Sequence, residues 1–207
     1  FVSLSLSLDA YPNGPTAVST LRRVQCTTTY QRARPAVSAS LDNGQVYPVT
    51  AQSGFSSSNA PAVGVTGSGS GTLLSGVSVG AATITATFET AQDSKSLSVV
   101  DTVVDVSTLT LTSDEGATLY GLDDSTFGTS VALTFTDGTS YPDAGALAWL
   151  PLASIVTYAS DQTSAVEVGA DGVMTLRANH EAMVGVTAQA CSSGPSGSVS
   201  VAANLKA

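Results

Sequence analysis

A chain of 207 residues with 43% hydrophobic and only 11% charged residues has material for cores and little for ion pairs, its charged share being less than half the usual quarter. Ser, Thr, Gly and Asn must cover most of its surface, a balance common in secreted β-proteins and unusual in cytosolic enzymes. A formal charge of −9 repels nucleic-acid phosphates and anionic membrane surfaces, and no run reaches the ~18 apolar residues that cross a bilayer as a helix.

The pattern has period two from the outset: Leu4, Leu6 and Leu8 alternate with serines, as in a half-buried strand. The chain opens at Phe1 in mid-pattern, with no initiator Met, charged n-region or signal-type apolar core, and reads as a mature or excised segment. Four arginines follow close together, Arg22, Arg23, Arg32 and Arg34. They read as a solvated face on a strand and loop, with a phosphate or polyanion site as the alternative. The run from Ala36 to Leu41 is a strand closed by Asp42-Asn43-Gly44, residues that tolerate the positive φ of a tight turn. Phe55 and the alternating Ala62-Val63-Gly64-Val65 come next, then a glycine-serine hairpin, Gly67 to Gly71. That hairpin lacks the lysine and following helix that a phosphate-binding loop needs. Thr83 to Phe88 and Ser96 to Val99 are strands rich in β-branched residues. Leu109-Thr110-Leu111-Thr112, Val166-Glu167-Val168, Val184 to Ala188 and Ser198 to Val201 continue the alternation, with turns at Asp137-Gly138 and Asp171-Gly172. No stretch has convincing helical spacing, so the fold class is all-β.

The second half repeats the first. Ser5 to Leu8 matches Thr108 to Leu111. Ala36 to Gly44 with Tyr47-Pro48 matches Ser130 to Gly138 with Tyr141-Pro142. Phe55 matches Tyr158, Val63-Gly64-Val65 matches Val166-Glu167-Val168, and Thr83 to Ala86 and Ser96 to Val99 match Gly185 to Ala188 and Ser198 to Val201. The offset is ~100 residues, the size of one sandwich domain. Two tandem immunoglobulin-like β-sandwich domains are therefore expected, residues 1–101 and 102–207, joined at Asp101 to Asp105 without Gly or Pro. Phe55 and Tyr158 are expected in the two cores.

Catalytic signatures fail one by one. His180 lies in a turn-like Asn179-His180-Glu181, and no nucleophile elbow marks a serine for it. Asp114-Glu115, Asp123-Asp124 and Asp101 with Asp105 are close carboxylates without a calcium-loop spacing, so solvated loops are the plain reading and calcium the alternative. No enzyme, metal site or cofactor is expected. No Asn-x-Ser/Thr sequon occurs, which excludes N-glycosylation, while the Ser/Thr richness leaves O-linked glycans open.

Phe135-Thr136-Asp137-Gly138-Thr139, Tyr158-Ala159-Ser160, Val166-Glu167-Val168, Asp171-Gly172-Val173 and Val186-Thr187-Ala188 resemble the bacterial Ig-like group 2 domain of intimin- and invasin-type adhesins. Related modules occur in surface filaments such as mastigonemes. The resemblance covers nearly the whole chain, and departs from the family in placing Phe55 and Tyr158 where a core tryptophan stands. It implies a structural segment of an extracellular filament, surface fibre or adhesin stalk at the cell surface. Its partners would be copies of itself or neighbouring modules. The alternative is an accessory module that binds carbohydrate or protein through inserted loops. The one tryptophan, Trp149, lies in an insertion from Ala146 to Leu152 that the first half lacks. This insertion either folds back over the sandwich edge or forms an interface plug, with Trp149, Leu150 and Leu152 as the candidate anchors. In the fold so implied, each module lacks the two cysteines of an internal bridge. Cys26 would lie near the C-terminal pole of the first module and Cys191 near the N-terminal pole of the second. A Cys26–Cys191 disulfide stapling the junction is expected, with bridges to other chains or free thiols as alternatives.

Overall fold

The computed structural model describes residues 2–206; Phe1, where the alternation opens, and Ala207 lie outside the described residues. The chain divides into two compact units. Unit 1 holds the chain up to Val24, Thr28–Val104 and Asp137–Ser140; unit 2 holds Gln25–Thr27, Asp105–Thr136 and the chain from Tyr141.

Unit 1 contains β1 (Ser3–Tyr11), β2 (Thr20–Val24), β3 (Arg32–Ser40), β4 (Val46–Pro48), β5 (Gly54–Ser57), β6 (Val63–Thr66), β7 (Leu73–Gly76), β8 (Gly80–Phe88) and β9 (Ala91–Val104). One sheet runs β1-β3-β7-β6, with β4 also on β3; the other runs β2-β9-β8-β5. These are the A-B-E-D and G-F-C orders of an immunoglobulin sandwich. β2 lies parallel beside β9. The alternation decides the faces: Leu6, Leu8, Val37, Leu74, Ile84, Ala86, Leu97 and Val99 all turn into one core. Fully burying a side chain of this size contributes roughly 1.5–3 kcal/mol, while the intervening serines and threonines meet water.

Unit 2 repeats the frame with β10 (Val106–Ser113), β11 (Thr118–Gly121), β12 (Thr126–Phe127), β13 (Thr129–Phe135), β14 (Ser140–Tyr141), β15 (Val156–Ser160), β16 (Val166–Val168), β17 (Met174–Leu176), β18 (Val184–Ala190) and β19 (Ser196–Leu205). One short helix, α1 (Leu152–Ile155), precedes β15. The G-F-C sheet, with β11 added, is β11-β19-β18-β15, and β11 again runs parallel to the last strand. The opposite layer consists of β10-β13-β14 and β12-β17-β16, because Gly128 interrupts what is a single strand, β3, in unit 1. The protein is all-β, two immunoglobulin-like sandwiches in tandem.

Three features differ from the sequence reading. β9 runs through the expected boundary to Val104, and β10 begins at Val106. β2 and β11 are strands that the alternation does not announce. Phe55 is only partly buried against the unit 1 core and Tyr158 is half-buried, because β5 and β15 are the outer strands of their sheets and are covered from one flank alone.

Candidate functional site

Cys26 follows β2 and Cys191 follows β18 directly, and a disulfide joins them, with Cα atoms 6.2 Å apart. Both cysteines belong to unit 2, because Gln25–Thr27 packs there. The Val106 N–H donates to the Gln25 side-chain carbonyl at 2.9 Å, and Thr27 is buried. The Cys191 N–H donates to the Ile155 carbonyl at 2.6 Å. Both cysteines adopt left-handed backbone, φ 62° at Cys26 and 50° at Cys191, a conformation that non-glycine residues hold only when their surroundings enforce it.

The insertion is built on Tyr141, which is fully buried. Its ring lies 4.9 Å from that of Phe135 at 60° and 5.8 Å from that of Trp149 at 77°. Tilted and edge-on pairs of this kind add roughly 0.5–1.5 kcal/mol beyond their area. The Ala144 N–H donates to Val131 and the Leu150 N–H to Leu147, both at 2.8 Å, so consecutive turns lead the chain back over its own sandwich. Leu150 and Ile155 point inward and are buried, whereas Trp149 and Leu152 are part-covered. Of the three anchors expected from sequence, Trp149 and Leu152 keep a face towards solvent and Leu150 does not.

The arginines of unit 1 are engaged locally. Arg23 pairs with Asp101 at 2.7 Å, and Arg34 lies over the Tyr11 ring, 4.9 Å from its centre. Arg22 and Arg32 line a groove of about 260 Å³ with Pro15, Gln31, Asp137 and Thr139. Within it the Gln31 amide donates to the Asp137 carboxylate at 2.7 Å and to the Thr139 hydroxyl at 3.2 Å. The paired acids of unit 2 serve the fold: Asp114 accepts from the Ser130 hydroxyl at 2.7 Å, and Arg177 bridges Asp124 and Glu167. Among the described residues no group of three or more His, Cys, Asp or Glu side chains is placed to hold a metal ion. His180 has its Nδ1 3.0 Å from the Ala182 carbonyl. Burial, reinforced by the Asp171 carboxylate, raises the Tyr158 phenol above the ordinary 10.0, against a lowering hydrogen bond with Thr129.

No protein-family model matches the chain, so membership of the bacterial Ig-like group 2 family is not established by sequence. No curated protein matches it either. Among solved structures, domains 4 and 5 of the S-layer protein SbsC align over 100% of both chains at 16% identity and TM-score 0.37. A longer SbsC structure, domains 1–6, aligns at 15% identity and TM-score 0.38, and the chain spans 28% of it. The C-terminal fragment of intimin, solved in complex with the intimin-binding domain of the translocated intimin receptor, aligns at 12% identity and TM-score 0.31. That alignment covers 99% of this chain and 66% of the fragment. Human protocadherin-24 EC1-2 aligns at 12% identity and TM-score 0.28, over 97% of this chain and 99% of that one. These likenesses are loose, and the immunoglobulin-like assignment rests on the strand order itself.

Proposed function

We propose that this chain is a structural repeat segment of an extracellular filament, surface fibre or adhesin stalk, acting through stacked modules and assembly contacts rather than through turnover. The observation that supports this most is the repetition of one strand frame: the same strand order, the same parallel pairing of second and last strands, and two filled cores. A frame that is duplicated with its inward positions conserved in kind supplies length. The Cys26–Cys191 disulfide supports an oxidising compartment outside the cell. The Ser/Thr-covered surface suits that setting and offers positions for O-linked glycans.

The test is immunogold labelling of unpermeabilised source cells with antibodies raised against residues 2–206, together with deletion of this segment from its parent protein. Label along a surface structure that the deletion shortens or abolishes is the expected result. Label that appears only after permeabilisation would overturn the reading. Submillimolar binding on a glycan array, with the surface structure intact after deletion, would replace it with the accessory-binding alternative.

A further inference from the structure

Two asparagines of the chain, Asn13 and Asn43, are followed by glycine. That pairing has a chemistry of its own. The backbone nitrogen after an asparagine can attack the side-chain Cγ and close a five-membered ring. Glycine, with no Cβ, leaves the approach open and the backbone free to turn into it. Asn59, Asn179 and Asn204 are followed by Ala60, His180 and Leu205, whose side chains obstruct the same attack.

The fold of unit 1 treats the two pairs differently. Asn13 is tied down: its carbonyl accepts the Ser140 N–H at 2.8 Å in an antiparallel bridge. A Cβ at Gly14 would stand 2.9 Å from both the Ala10 Cβ and the Thr139 Cα. Thr139 is itself buried and bonded to the buried Gln31, so Gly14 cannot turn without moving a packed neighbour. Asn43 lies at the tip of the hairpin between β3 and β4. All of Asp42 to Pro48 is exposed, β4 pairs with β3 alone, and a Cβ at Gly44 would meet no neighbour within 4 Å. The bonds that hold this tip are local. The Gly44 N–H donates to the Leu41 carbonyl at 3.0 Å and the Leu41 N–H to the Gln45 carbonyl at 2.8 Å. The Asn43 side chain adds two bonds to Gln45, both at 3.1 Å. An exposed turn held by its own residues opens without disturbing a core, and so opens often.

We propose that Asn43 is a site of spontaneous deamidation, from which the fold protects Asn13. When the tip opens, the Gly44 N–H leaves the Leu41 carbonyl and hydroxide takes its proton. The nitrogen bonds to the Asn43 Cγ, and the bond from Cγ to the side-chain nitrogen breaks. Ammonia departs with a proton from water, which restores the hydroxide. Water then opens the succinimide at either carbonyl, giving aspartate or isoaspartate. The repeat contains the first product already. Asp137 is the counterpart of Asn43, and its Oδ1 accepts the Thr139 N–H at 2.9 Å as the Asn43 Oδ1 accepts that of Gln45. Aspartate therefore keeps this turn and adds a negative charge, whereas isoaspartate lengthens the backbone by a methylene in the middle of it. The reaction needs water alone and does not depend on the fibre reading.

The experiment ages the folded chain in neutral buffer and a second sample in denaturant. Both are mapped by peptide mass spectrometry, with enzymatic methylation to mark isoaspartate. In the folded chain Asn43 should convert at least about tenfold faster than Asn13, a ratio that needs only ~1.4 kcal/mol of difference in barrier. In denaturant the two rates should converge, because the hold on Asn13 is gone. Asn13 keeping pace with Asn43 in the folded chain, or no isoaspartate at position 43, would overturn the proposal. So would an undiminished gap in denaturant, which would trace the difference to flanking sequence such as Pro15 instead of to the fold.

Discussion

Reduction of the disulfide should destabilise unit 2 by less than its loop length implies. The cysteines are 165 residues apart, and the chain-entropy relation credits so long a closed loop with about 5 kcal/mol. Against this stands the left-handed backbone at both cysteines, which costs a non-glycine residue about 1 kcal/mol or more at each position. Part of that cost is recovered when the bridge opens and Gln25–Thr27 can relax, leaving a net loss near 3 kcal/mol by the same two estimates. For a chain of this size the loss corresponds to a melting temperature lower by about 6–12 °C. The assay is calorimetric melting of the oxidised protein, of the protein in reductant, and of the double variant Cys26→Ala, Cys191→Ala. A Cys26→Gly, Cys191→Gly variant separates the two contributions, since glycine takes positive φ without penalty and should melt above the alanine pair. An unchanged melting temperature on reduction would refute the loop argument. Alanine and glycine pairs of equal stability would refute the backbone part.

Tyr141→Ala removes the ring between Phe135 and Trp149 and should cost about 3–5 kcal/mol, read from the midpoint of chemical unfolding; a loss below ~1 kcal/mol would show that the insertion closes over the gap. At Gly172 a Cβ would stand 2.6 Å from the Thr129 Oγ1 and 2.8 Å from the Tyr158 Cζ, at φ 82°. Gly172→Ala should therefore destabilise by about 1–3 kcal/mol, and Gly44→Ala, with open space around it, by the backbone part alone. Tyr158 gives a pH signature. Its phenol is raised in the folded state, so the unfolded chain loses its proton first as pH climbs. The contribution is complete below pH ~10 and is lost as pH rises through the folded value. Tyr158→Phe should flatten alkaline stability curves in that window; an identical slope in the variant would refute the assignment.

The strands that the alternation announces are those whose side chains face one core along an unbroken register. Leu6 and Leu8 in β1, Ile84 and Ala86 in β8, and Leu97 and Val99 in β9 all point where period two sends them. β2 escapes because its register against β9 shifts between Arg22 and Arg23. Leu21 and Val24 then face inward at a spacing of three, so the arginines mark a strand and loop whose bounds period two does not give. Depth within a sheet is not written in periodicity either. Phe55 and Tyr158 align correctly with each other, but sit on outer strands. Tyr47 and Tyr141 also align, yet one is 49% exposed and the other 0%, since only the second half carries the insertion that covers it. The cysteines were legible as a pair through the order of strands, whereas the packing of Gln25–Thr27 into unit 2 depends on contacts far apart in sequence.

The parallel pairing of β2 with β9, and of β11 with β19, sets how each unit answers a pull on its chain. In unit 1, tension from the residues before β2 and after β9 draws these two strands in opposite directions along their own axes. All five registered pairs, Thr20–Ser98 to Val24–Val104, are loaded together. A hairpin pulled open from its ends breaks one rung at a time, and each rung is worth only ~1 kcal/mol net. Strands loaded lengthwise must yield as a set. Unit 2 has the same clasp over Thr118–Ala202 to Gly121–Leu205. Each sandwich therefore meets a lengthwise pull with rungs that must yield together, on a pair in which the alternation announces only the later strand.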